Sequence, residues 1–88
     1  MNSVKYFKMP SKIKIVERKL GRENCIGLYD EDNSKIELEI RLKSKERLLV
    51  LIHELLHHCF KNLSEKEVLK YEKIIGNALW EDGYRRIK

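Results

Sequence analysis

The chain has 88 residues, of which 42% are hydrophobic and 38% are charged, and its formal net charge is +5 at pH 7. This composition argues against intrinsic disorder, and the length predicts one domain spanning residues 1–88, near the lower end of what folds alone. The longest apolar run, residues 48–52, is too short to cross a bilayer. Residues 1–6 lack the apolar stretch of a secretory signal, so we expect a cytoplasmic protein that has no membrane partner.

Alternating polar and apolar residues predict three short strands in the first half of the chain. Residues 12–17 and 36–40 alternate with the period of a half-buried strand, and residues 25–29 are a further strand candidate. The polar residues 30–34 are a strong turn signal, so the last two strands are predicted to form a hairpin. Residues 1–10 are predicted to be an N-terminal arm. We therefore expect a small antiparallel sheet.

Two helices are predicted in the second half. Good helix formers run from Ser44, a candidate N-cap, to about Lys61. Residues 64–67 form a capping box that begins a second helix, which is predicted to run to about Asp82 and to stop at Gly83. The connection between the helices is short, which makes them antiparallel neighbours. The order β-β-β-α-α predicts an α+β domain.

The first helix contains the sequence HELLH at residues 53–57. Histidines four residues apart project from adjacent turns on one side of a helix, so His53 and His57 can bind one zinc ion. Glu54 lies about 100° further round the helix, where it can reach a zinc-activated water without binding the metal. We predict that Glu54 is the general base of a hydrolytic reaction. The mid-helix position and the clustering of all three histidines within six residues favour a metal site over ordinary core histidines.

A catalytic zinc site needs a third protein ligand. No further histidine follows at the spacing HExxHxxGxxH, and His58 points about 100° away from its neighbour His57. The third ligand is therefore predicted to be a carboxylate of the second helix, with Glu65, Glu67 and Glu72 as candidates. Glu67 already belongs to the capping box. Geometry alone favours Glu65 weakly and leaves Glu72 open.

Residues 25–83 resemble the very small HExxH zinc metallopeptidases encoded by bacteriophages and prophages. The resemblance is carried by GLYD at residues 27–30, KIEL at 35–38, LVLIHELLHH at 49–58 and LSEKEV at 63–68. It implies a reduced zincin fold, in which a short sheet precedes the HExxH helix and a second helix supplies a glutamate ligand. In the family this glutamate stands three residues before an apolar helix position. Glu65 and Val68 match that spacing, so the resemblance implies Glu65 as the ligand.

The resemblance also implies one Zn²⁺ per chain, a peptide or protein substrate and, for a phage-encoded protein, the cytosol of a bacterial host. The chain has no obvious lobe that would enclose a long substrate, so we expect an extended peptide to lie along an exposed strand. Residues 36–40 are the predicted edge. Tyr71, Tyr84 and His58 are candidates for a transition-state donor, and none of them stands out.

Two alternatives belong to other classes. In the first, zinc only stabilises a small interaction module. Such a site would close its fourth position, for instance with Cys59, and would not need Glu54. In the second, the chain is a phage protein that binds nucleic acid through basic residues of the segment 12–22, namely Lys12, Lys14, Arg18, Lys19 and Arg22. Lysines and arginines are spread over the whole chain, which favours a solvated surface. Cys25 and Cys59 fit no disulfide framework and are predicted to be free.

Overall fold

The computed structural model describes residues 12–87, and the predicted arm of residues 1–10 lies outside this range. An α+β fold is confirmed, with a three-stranded sheet followed by two helices. The elements are β1 (Lys14–Arg18), a 3-10 turn (Gly21–Glu23), β2 (Gly27–Asp30), β3 (Lys35–Glu39), α1 (Ser44–Cys59) and α2 (Glu65–Glu81).

The sheet is mixed, so the prediction of an antiparallel sheet is wrong for one of its strands. β2 and β3 form the predicted antiparallel hairpin, but β1 pairs in parallel with the other side of β3. Residues 19–26 carry the chain around the end of β3 before β2 begins. Alternation of polar and apolar residues predicts a strand and its buried face, but it contains no information about the direction of the neighbouring strand.

The order β1-β3-β2 places β3 in the centre of the sheet. The prediction that residues 36–40 form an exposed edge is therefore wrong. Ile36 and Leu38 are completely buried, as expected for the middle strand of a sheet that has a helix packed on it. The edges of this sheet are β1 and β2.

Glu39, at the end of β3, joins the connection between β1 and β2 to the sheet. Its carboxylate accepts hydrogen bonds from the Leu20 backbone N–H at 2.8 Å and from the Arg41 backbone N–H and Nε at 3.2 and 2.8 Å. These bonds, above all the one from the Arg41 side chain, lower the pKa of Glu39 from its ordinary value of 4.5 to about 2. The folded state therefore favours the charged carboxylate.

We expect Glu39→Gln to lower the midpoint of urea unfolding at pH 7, because the amide cannot accept the same set of hydrogen bonds. A lowered pKa stabilises the fold above the ordinary pKa, and this contribution is lost as the pH falls toward the folded value. The difference between wild type and variant should thus be full above pH 4.5 and shrink between pH 4.5 and about 2. A difference that stays constant over this range would contradict the assignment.

Helix α1 packs between the sheet and α2. One cluster joins it to the sheet and consists of Ile36, Leu38 and Leu42 with Val50, Leu51 and Leu55 against them. The other joins it to α2 and consists of Ile52, Leu56 and Val68. Positions 51 and 55 lie about 100° from positions 52 and 56 around a helix. The next positions round, His53 and His57, therefore lie at the border of the α1–α2 contact.

The two helices begin differently. Ser44 is not the N-cap, because capping requires an extended backbone and Ser44 has a φ of 53°. Lys43 takes the capping position, no side chain caps α1, and α1 ends at Cys59, before the predicted Lys61. Helix α2 begins with the predicted capping box between Ser64 and Glu67. It ends as predicted, and Gly83 has the positive φ of 96° that favours glycine.

Cys25 and Cys59 are free, as predicted. Within residues 12–87, no helix combines the length and the apolar character that crossing a membrane would require.

Candidate metal centre

Two glutamates of α2 face the two motif histidines of α1. Helices α1 and α2 are joined by five residues, 60–64, and pack against each other. Glu65 is the first residue of α2, and Glu72 lies two helical turns later on the same side. This spacing lets both carboxylates reach the ring of His53.

Side chains of His53, His57 and Glu65 converge on one point. Their three candidate ligand atoms all lie within 4.8 Å of one another. The Glu65 Oε1 atom is 3.2 Å from His53 Nε2 and 3.3 Å from His57 Nε2. The histidine rings are 5.0 Å apart between centroids and inclined by 65°. This group can hold a metal ion.

Two of the three separations between candidate ligand atoms agree with a tetrahedral ion. Zinc ligands at 2.0–2.1 Å from the metal lie roughly 3.3 Å from one another when the coordination is tetrahedral. Both distances from the Glu65 oxygen to an imidazole nitrogen agree with that separation. Two imidazoles and one carboxylate form a donor set that is compatible with zinc.

Glu72 contacts the other nitrogen of His53. Its Oε1 atom is 2.7 Å from His53 Nδ1, and its side chain is only 13% exposed. A carboxylate accepts a hydrogen bond, so the tautomer with its proton on Nδ1 donates to Glu72 and leaves Nε2 able to bind a metal. The structure thus places Glu65 in the ligand group, Glu72 behind His53, and Glu67 in the capping box. Sequence left Glu72 open as an alternative ligand and did not predict its contact with His53.

Glu54 lies beside the ligand group and is not part of it. Glu54 is buried, with 9% of its surface exposed, and no hydrogen bond within residues 12–87 is among the interactions that shift the pKa of its carboxylate. Burial is the main reason that the pKa of Glu54 is raised. Interactions with His53 and His57 oppose this shift, and the carboxylates of Glu65 and Glu72 add to it. The carboxylate rests against the backbone of Gly27, where a Cβ atom would come within 2.9 Å of Oε2.

A cleft of about 410 Å³ opens in front of these residues. It is lined by Gly27, Leu28, Tyr29, Glu31, His53, Glu54, His57, Lys61 and Glu65. The Tyr29 hydroxyl is 2.8 Å from His58 Nδ1, so His58 is joined to β2 and stays outside the ligand group. Lys61 forms an ion pair of 2.7 Å with Glu31.

The three sequence candidates for a transition-state donor are not in the cleft. Tyr71 packs in the core between the helices, Tyr84 lines a different groove, and His58 pairs with Tyr29. Tyr29 and Lys61 line the cleft and were not predicted. Sequence periodicity gave Tyr29 only a place in a strand, because the long-range contact with α1 depends on the sheet order.

Comparison of the chain with family models, with curated proteins and with solved structures finds no match. The case for a metal site therefore comes from the geometry of this chain.

Replacing Glu65 and replacing Glu72 should weaken zinc binding by different amounts. We expect Glu72→Ala to weaken zinc binding about 10–100-fold, because it removes the partner that orients His53. Glu65→Ala should weaken it further, because it removes a ligand. Glu67→Ala is the matched control on the same helix. It removes the hydrogen bond that the Ser64 backbone N–H donates to Glu67, which should cost about 0.5–1.5 kcal/mol of stability with zinc affinity unchanged. Titration of each variant with a competing zinc chelator measures the affinities, and a larger loss in Glu72→Ala would reassign the ligand.

Proposed function

We propose that the chain is a zinc-dependent peptidase in which His53, His57 and Glu65 hold the ion and Glu54 is the general base. The observation that carries this proposal is the buried carboxylate of Glu54, which adjoins the ligand group without joining it. A metal that only stabilised the fold would not need a desolvated acid at that position. Burying a carboxylate without a hydrogen-bond donor destabilises the fold. A buried acid in a cleft is therefore better explained by a chemical role than by a structural one.

In the proposed reaction each of the chain's residues has a separate task. Zinc, when bound, supplies an acidified water and polarises the carbonyl of the scissile bond. With zinc bound, Glu54 would accept a proton from the water as its oxygen bonds to the carbonyl carbon, and would pass this proton to the amine as the C–N bond breaks. Glu72 fixes the ring of His53 in the tautomer that directs Nε2 toward Glu65. Glu54 projects from α1 into the cleft, and its carboxylate lies against Gly27 of β2.

The same geometry suggests how a peptide substrate binds. Gly27, Leu28 and Tyr29 of β2 line the cleft, and within residues 12–87 no strand pairs with the outer edge of β2. An extended peptide can add to such an edge through backbone hydrogen bonds. We therefore propose β2, instead of residues 36–40, as the strand edge that binds the peptide. The peptide would then run past His53 and Glu54.

A degenerate peptide mixture tests the proposed function directly. We expect zinc-loaded protein to generate new peptide termini that mass spectrometry detects, and we expect chelator-treated protein to generate none until zinc is restored. If zinc-loaded protein with a full site cleaves neither this mixture nor unfolded casein, the non-catalytic zinc module replaces the peptidase.

Gly27 should act as a positioning residue for Glu54. A Cβ atom at this position would lie 2.8 Å from Val50 Cγ1 and 2.9 Å from Glu54 Oε2, so Gly27→Ala must displace the carboxylate or the strand. We expect a loss of activity of about 10-fold or more with zinc affinity unchanged, because small displacements of a reacting group are costly. Gly21→Ala is the matched control, since nothing lies within 4 Å of its Cβ position. Equal activities of the two variants would contradict this role.

On the surface predicted to bind nucleic acid, one of the five basic residues is already paired within the protein. Arg18 forms ion pairs with Glu23 at 2.9 Å and with Glu37 at 3.0 Å, so its charge is compensated within the protein. Salt-dependent binding of duplex DNA by metal-free Glu54→Gln protein would favour this alternative.

A further inference from the structure

A second groove, of about 720 Å³, lies between the first half of α1 and the end of α2. Within residues 12–87 it shares no lining residue with the metal cleft. Leucines and the chain's one tryptophan form its apolar wall, including Leu48, Leu51, Leu79 and Trp80. Ile40 and Tyr84 also line it and are 49% and 60% exposed. The volume is within the range of about 300–1,000 Å³ that is usual for ligand sites.

The rim of this groove is strongly positive. It contains Lys43, Arg47, Arg85 and Arg86 and a single acid, Glu17, so its formal charge is four minus one, or +3. The same Glu17 oxygen, Oε2, accepts from Arg47 at 2.7 Å and from Arg86 at 2.8 Å. One carboxylate thus faces two guanidinium groups and cannot neutralise both.

The remaining two cations have no acidic partner within residues 12–87. Lys43 and Arg85 form no ion pair there. Arg85 is held over the ring of Trp80, with its guanidinium carbon 3.5 Å from the ring centroid, and donates to the Trp80 and Tyr84 carbonyl oxygens. The groove therefore combines an aromatic wall with a positive charge directly beside it.

We propose that this groove docks a segment of a partner protein in which apolar side chains are flanked by acidic residues. The apolar wall would bury the apolar side chains, and the surplus of cations would pair with the acids on either side. Residues 1–11 of the chain itself are a poorer match, because their only charged side chains are Lys5 and Lys8. The groove is separate from the metal cleft, so this proposal does not depend on peptidase activity.

Trp80 provides the readout, since the chain has one tryptophan and it lines the groove. The probe is the acetylated peptide Asp-Glu-Phe-Leu-Asp-Glu, added to metal-free full-length protein so that it is not cleaved. We expect a saturable change in tryptophan emission that weakens as salt is raised. The uncharged peptide Asn-Gln-Phe-Leu-Asn-Gln should bind roughly tenfold more weakly, because it lacks the ion pairs.

Two exposed lysines separate a specific groove from a general charge effect. Lys43→Glu reverses a charge on the rim and should weaken binding about threefold or more, whereas Lys73→Glu makes the same change outside the groove and should leave binding unaltered. Ile40→Ser should weaken binding through the apolar wall.

Three results would overturn the proposal. The first is equal binding of the charged and uncharged peptides, or equal effects of Lys43→Glu and Lys73→Glu. The second is a shift in Trp80 emission with vesicles of phosphatidylserine and phosphatidylcholine but none with the peptide, which would assign the groove to an anionic membrane surface. The third is a combination of two observations: Phe7→Ala changes the Trp80 emission of the free protein, and wild type does not bind the peptide. That result would assign the groove to the chain's own first residues.

Discussion

Replacing Glu54 with glutamine is expected to abolish peptide hydrolysis while zinc binding and the fold are kept. The amide has nearly the same shape as the carboxylate but cannot accept a proton, so the rate should fall by about 10²–10⁴-fold. Glu54 lies outside the group of ligand atoms, which is why the metal should stay. Rates on a cleaved peptide, zinc content and the thermal unfolding midpoint are to be measured on the same preparations.

The matched control for this variant is Glu46→Gln, which makes the same change at an exposed position in the first turn of α1. It should keep full activity. Glu54→Gln also removes a buried, desolvated charge, so its stability should equal or exceed that of wild type. Activity of Glu54→Gln close to that of wild type would remove Glu54 from the mechanism, whatever the metal content.

Replacing His53 with alanine is expected to remove the metal and with it a large part of the stability. A ligand that binds only the folded state stabilises it by about 4 kcal/mol when its free concentration is about 1,000 times the Kd. For a domain of this size, each kcal/mol lowers the unfolding midpoint by roughly 4–8 °C. Wild type with a chelator should therefore unfold at a markedly lower temperature than wild type with zinc, and His53→Ala should respond to neither addition.

The third histidine provides the control for this experiment. His58→Ala removes the hydrogen bond to Tyr29, but His58 is not in the ligand group. This variant should keep the zinc-dependent shift in unfolding temperature and show only a modest loss of stability. A zinc response that disappears in His58→Ala and persists in His53→Ala would show that the histidine roles are assigned wrongly.

Several features that depend on residues close in sequence were predicted correctly. The capping box at Ser64 and Glu67 and the hairpin of β2 and β3 depend on residues close in sequence, and both are present. The i, i+4 spacing of His53 and His57 fixes their separation on any helix, so their convergence needed no knowledge of the fold.

The features that sequence did not predict depend on contacts between distant parts of the chain. The parallel pairing of β1 with β3 follows from the path of residues 19–26, which no local pattern describes. That pairing makes β3 central and leaves β2 as the edge at the cleft. The same limit applies to Glu72, whose contact with His53 requires the registry of the two helices.

The metal content of protein purified without chelator tests the central claim most directly. Plasma mass spectrometry of wild type, His53→Ala and His58→Ala gives the identity of the metal and the number of ions per chain. We predict about one zinc ion per chain in wild type and in His58→Ala, and none in His53→Ala. Folded wild-type protein that contains no zinc and does not take it up when it is added would contradict the metal site and the peptidase proposed on it.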